Sequence, residues 1–117
     1  MDLDDRLSEY EAILKYFDEK ESSLSDDVLE LNQRVLRFFF IEAFPDLSPK
    51  ETTTEHVRDF LSQLDERDLK HSSKRRYLEV LSAFFSYSLR DEDIGAISFN
   101  PPGIVLKTYP RKPESEQ

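Results

Sequence analysis

The chain has 117 residues with 25 acidic and 16 basic side chains, a net charge of −9, two Gly and no Cys. That length makes one domain, able to bury roughly 60–68% of the surface its unfolded chain exposes. The absence of Cys excludes disulfides and thiolate metal sites, and two well-separated His cannot build a zinc centre. No apolar run approaches the ~18 residues of a membrane span, and the acidic start "MDLDDR" is no signal peptide, so a cytoplasmic protein without metal or other cofactor is expected.

Apolar spacing predicts four helices, and nine Phe with five Tyr predict an aromatic core. The first helix, about residues 3–20, sets Leu3, Leu7, Tyr10, Leu14 and Phe17 on one stripe. The second, about 26–44, follows the cap-like "SLSDD", carries Leu29, Leu36, Phe39 and Phe40, and stops at Pro45 because the residue before a proline is pushed out of the helical region. The segment "DLSPKE" connects it to the third, about 53–66, where Thr52 and Glu55 have capping-box spacing and Val57, Phe60, Leu61 and Leu64 form a narrow stripe. The fourth runs about 73–90, with Ser72 or Ser73 as its cap. "DEDIGAISFNPPG" reads as a helical turn and a stop, and "IVLKTYPRKPESEQ" as extended, then frayed.

In the fourth helix, Leu78, Val80, Leu81, Ala83, Phe84, Phe85, Tyr87 and Leu89 sweep more than half the circumference measured from Tyr77. Arg75, Glu79, Ser82, Ser86 and Arg90 share one thin wet arc. A central helix of the bundle is expected.

Charge is unevenly placed: residues 1–69 carry a net −11 and residues 70–117 a net +2. Acid excess with few Lys and no Cys also suits a salt-adapted, halophilic cytoplasm. Lys70, His71, Lys74, Arg75 and Arg76 crowd the start of the fourth helix. Cations are favoured at helix C-termini, so this cluster has the wrong sign for the macrodipole of its own helix. Helix N-termini do bind phosphate, and the hydroxyls of Ser72 and Ser73 would join these cations in a phosphate-binding corner. The other reading pairs Arg75 and Arg76 with acids of a neighbouring helix. Four phosphate contacts imply a salt slope near −3.6, and such a patch would grip DNA weakly alone.

The segment "SDDVLELNQRVLRFF" resembles the first motif of the core-binding (SAM-like) domain of the tyrosine recombinases, the phage integrase family. Ser25, Leu29, Arg34, Leu36 and Phe39 carry the match, while Val28 and Asn32 stand where Thr and Tyr are usual. "TTTEHVRDFLSQLDERDLKHSSKRRYLEVLSAFFSYSL" is similar to the family's next two helices through Thr53, Val57, Phe60, Leu61, Ser73, Arg76, Leu78, Leu81, Phe84, Phe85 and Tyr87. Ser82 occupies the position where a basic residue is common. Asn100-Pro101 matches the family's "NP", after which the chain would leave the bundle for an interdomain linker.

The resemblance covers about residues 25–113. It implies an all-α, four-helix orthogonal bundle over 1–106 and the start of an extended linker over 107–117. Such a domain is one jaw of a clamp on double-stranded DNA at a recombination core site. Carried over by position, the DNA-facing residues are Asn32, Gln33, Arg34 and Arg37 on the second helix. Lys70, His71, Ser72, Ser73, Lys74, Arg75 and Arg76 follow on the fourth, and Lys107, Arg111 and Lys112 on the linker. The implied partners are DNA, the catalytic domain of the same parent and other protomers on DNA.

The family cleaves DNA with a tyrosine of a separate C-terminal domain, and this sequence contains no His-x-x-Arg box. Tyr77 and Tyr87 read as core aromatics, Tyr109 as a linker residue and His56 as a surface residue, so the chain is not expected to be an enzyme. An acidic helical protein-interaction module and a stand-alone helical DNA-binding regulator are the rival readings.

Overall fold

The computed structural model of the chain describes residues 5–90 and 100–109, without the side chain of Arg90. The architecture is all-helical, with no strand among the described residues. Five α-helices occur among the described residues: α1 (Glu11–Lys20), α2 (Asp26–Arg37), α3 (Thr54–Glu66), α4 (His71–Arg90) and α5 (Pro101–Thr108). No helix among these residues is long and apolar enough to cross a membrane.

The first expected helix is broken. A 3-10 turn at Leu7–Glu9 ends at Tyr10, whose extended ψ of 111° resets the register before α1. As a result α1 buries Ala12, Ile13, Tyr16 and Phe17, and Leu14 is left 48% exposed instead of lying on the inner stripe. Leu3 lies outside the described residues.

Helix α2 begins at the Ser25 cap, whose hydroxyl accepts from the Val28 amide at 3.3 Å. It ends as expected before Pro45, but through a π-helical segment, Phe38–Ala43. The wider turn is compatible with the burial of three successive rings, Phe38, Phe39 and Phe40. In α3 the capping box is one residue later than the sequence spacing implied. Thr53 accepts from the His56 amide, and His56 Nδ1 in return accepts from the Thr53 amide at 3.0 Å. The imidazole nitrogen does the work of the usual Glu or Gln.

Helix α4 starts at His71, so Ser72 and Ser73 sit inside its first turn and are not its caps. Leu78, Val80, Leu81, Phe84 and Phe85 are buried, whereas Ala83 and Leu89 face outward. The helix packs against α1, α2 and α5 and is the centre of the fold. Edge-on ring pairs knit the core: Phe84 with Tyr16 and Phe85, and Phe39 with Phe40 and Phe60. Each such pair adds about 0.5–1.5 kcal/mol beyond the area it buries.

The fifth helix replaces the expected departure of the chain. Asn100 caps it by accepting the Gly103 amide at 2.9 Å, and Pro101 and Pro102 fill the first two positions, where no amide is needed. Eight residues make a marginal helix alone. Its stability comes from packing on α4 and α3, with Pro101, Pro102 and Val105 buried. The segment 91–99, read as a turn and stop, lies outside the described residues, as do Arg111, Lys112 and the rest of the expected frayed tail.

Candidate nucleic-acid interface

The turn between α3 and α4 sets up the basic corner. Asp68 adopts a left-handed conformation, φ 58°, just after α3. Its amide donates to Asp65 O at 3.0 Å and the Leu69 amide donates to Leu64 O at 3.4 Å. These are the paired bonds of a Schellman stop, with Asp where Gly is usual. The turn delivers Lys70 and then the first turn of α4.

The corner divides into two sets. His71, Lys74 and Arg75 are half-buried and turned toward the end of α5. Arg75 Nη1 donates to the Tyr109 carbonyl at 2.8 Å, and Arg75 Nε lies 3.7 Å from Glu79. The His71 ring stacks on the Tyr109 ring, centroids 4.5 Å apart and 8° from parallel. Lys74 pairs with Asp65, and that hydrogen bond holds its pKa above the ordinary 10.5 against the desolvation of its half-buried position. Burial likewise raises the Tyr109 phenol.

Tyr109 is the C-cap of α5. Cations with the wrong sign for the N-terminus of α4 therefore have the right sign for the C-terminus of α5, where backbone carbonyls lack intrahelical donors. This is the intramolecular alternative for the cluster, reached through a carbonyl, Asp65 of α3 and Glu79 of α4 itself rather than through a row of acids on a neighbouring helix.

Lys70, Ser72 and Arg76 are exposed, and Ser73 is half-buried. Arg76 stands at the rim of a cleft of about 330 Å³ between α1, α2 and α4 that also contains Tyr16, Lys20, Val28 and Asn32. On α2, Arg34 and Arg37 are exposed one turn apart, and Gln33 is half-buried. Asn32 requires correction. It is 4% exposed, accepts the Tyr16 hydroxyl at 3.2 Å and donates to Val28 O at 2.8 Å, so it is a packed core amide and not a DNA-facing side chain.

One cation escaped the sequence reading. Arg67 lies 4.0 Å over the Phe38 ring and 3.9 Å from Glu42. It joins the α3–α4 turn to the end of α2, where Arg37 immediately precedes Phe38. Its place three residues before Lys70 was the available signal. Lys107 is exposed, but on α5 and not on an extended linker. Among the described residues no group of three or more His, Asp or Glu is placed to hold a metal ion.

A scan against protein-family models finds no match, and searches of the curated proteins and of the solved structures find none either.

Proposed function

We propose that the chain is a DNA-binding helical module of the core-binding type its sequence resembles. In this reading α1–α4 form the four-helix orthogonal bundle and α5 is packed onto α4. The module is one jaw on a recombination core site. It acts in the cytoplasm beside a catalytic domain of the same parent and other protomers on the same DNA. It contributes grip and orientation, not chemistry, since phosphate contacts position a protein without reading sequence.

The observation that carries this reading is Arg67 over Phe38 at 4.0 Å. That contact draws the α3–α4 turn against the end of α2, so exposed Arg34, Arg37, Arg67 and Lys70 come from adjoining segments of a chain whose net charge is −9. Four phosphate contacts correspond to an affinity loss of about 10²-fold between 50 and 200 mM salt.

The test is a titration of isotope-labelled protein with a short duplex, following backbone amides. Shifts should concentrate at residues 33–38 and 66–71. Shifts confined to the acidic face of α1, or none at low salt, would sink the proposal. A second reading, an acidic protein-interaction module, is favoured by one observation: His71, Lys74 and Arg75 of the basic corner already hold α5 and Asp65.

A further inference from the structure

Helices α4 and α5 leave between them a cleft of about 580 Å³ whose polar lining comes from Arg75, Ser82, Ser86, Asn100, Lys107 and Tyr109. In a chain with 25 acidic residues, this described lining has two cations and no carboxylate. Its volume falls in the range of small-molecule sites, about 300–1,000 Å³.

The hydrogen bonds give the cleft a direction. Asn100 Nδ2 shares its two protons among Ser82 O at 3.1 Å, Ser82 Oγ at 3.2 Å and Ser86 Oγ at 2.9 Å, while Asn100 Oδ1 is taken by the Gly103 amide. Toward an amide N–H2 a hydroxyl can only accept, so neither serine spends its own proton on Asn100. Ser88, two residues beyond Ser86, differs: its hydroxyl donates back to Phe84 O at 3.0 Å. Among the described residues neither Ser82 nor Ser86 has an acceptor for its proton, and Lys107 has no ion-pair partner. Arg75 uses Nη1 toward Tyr109 O and Nε toward Glu79, which leaves further guanidinium N–H groups of its five. The free donors of this lining are thus the two hydroxyl protons, the remaining guanidinium N–H groups of Arg75 and the Lys107 ammonium, which offset the carbonyl end of α5 that also borders the cleft.

We propose that this cleft binds the phosphate group of a small phosphate monoester. The oxyanion would accept from the Ser82 and Ser86 hydroxyls and from Arg75, with Lys107 as the mobile counter-charge. The site stands whether or not the face formed by Arg34, Arg37, Arg67 and Lys70 binds DNA, because it uses different residues.

The test titrates isotope-labelled protein with inorganic phosphate, with chloride at matched ionic strength as the control. A saturable shift of the Gly103 amide and the Asn100 side-chain amide is expected with phosphate and not with chloride. Lys107→Gln, on an exposed position, should weaken phosphate binding about fivefold or more through loss of a charge-assisted contact, with the rest of the spectrum unchanged. Ser86→Ala should weaken it as well. Equal response to chloride, or unchanged affinity in Lys107→Gln, would overturn the proposal. A short duplex separates the two sources of phosphate. If the duplex moves the Gly103 amide and inorganic phosphate does not, the cleft belongs to the DNA backbone and the small-ligand assignment is wrong.

Discussion

Arg75 reaches from the first turn of α4 to the backbone of Tyr109, its Nη1 donating to the carbonyl oxygen at 2.8 Å across 34 residues of sequence. The bond closes the end of α5 with a charged donor. Together with the Asn100 cap at the other end, it fixes a short helix along the polar seam of α4.

Arg75→Gln should therefore act on α5 before it acts on the core. A hydrogen bond to a charged group contributes about 1.5–3 kcal/mol, and Gln can recover part of it, so a loss near the lower end is expected. Amide exchange at Leu106 to Tyr109 should speed up while Phe84 and Phe85 stay protected. Uniform loss of protection throughout α4 would contradict the local role.

Asn100→Ala removes the cap of α5 and two amide N–H donors, which Asn100 shares among Ser82 O, Ser82 Oγ and Ser86 Oγ on α4. A cap is worth about 1 kcal/mol and a part-buried hydrogen bond about the same. The expected destabilisation is roughly 2–3 kcal/mol, read as a lower denaturation midpoint. A change under about 0.5 kcal/mol would mean that α5 is held by its apolar face alone.

Asp68→Gly should stabilise the protein. Asp68 sits at φ 58°, where a side chain is strained and Gly is not. The left-handed penalty of about 1–2 kcal/mol, less the extra chain entropy of Gly of about 0.5–1 kcal/mol, leaves a gain of roughly 0.5–1 kcal/mol, visible as a higher denaturant midpoint with an unchanged slope. A lower midpoint would show that the carboxylate makes a contact worth more than the strain.

The alkaline limb of stability should depend on Tyr16. Burial raises its phenol above the ordinary 10.0, and its hydroxyl donates to Asn32. The folded protein keeps a proton that the unfolded chain releases, so this contribution is whole below pH 10 and lost as pH rises through the folded value. Lys74, raised by its hydrogen bond to Asp65, acts with the same sign above its ordinary 10.5, but the exposure of its partner Asp65 to solvent screens the effect. Tyr16→Phe should cost about 1–2 kcal/mol at neutral pH by orphaning the Asn32 oxygen. Its decline above pH 10 should be shallower than that of the parent, and identical alkaline limbs would refute the assignment.

Much of the fold was legible because burial follows period. Val57, Phe60 and Leu64 are fully buried on α3, as are Leu78, Leu81, Phe84 and Phe85 on α4. Position-specific chemistry was harder. Pro101, Pro102 and Gly103 were read as breakers, although Asn followed by Pro is also how a helix begins. Missing α5 left Ser82 and Ser86 assigned to open water, whereas they face Asn100. The basic cluster was conspicuous in sequence, but its partners were not. Asp65 and the Tyr109 carbonyl are reached only by tertiary contact, and a backbone acceptor leaves no mark in composition. Asn32 failed for the same reason, since its amide is used by Tyr16 from another helix.

The most direct test of the DNA-binding account is the salt dependence of affinity for a duplex, measured by fluorescence anisotropy between 50 and 200 mM salt. If Arg34, Arg37, Arg67 and Lys70 each meet a phosphate, the slope of log K against log salt should be about −3.6. It should fall to about −1.8 in Arg34→Gln with Arg37→Gln and stay near −3.6 in Arg75→Gln. A slope that the double substitution leaves unchanged, or no binding at 50 mM salt, would contradict the account.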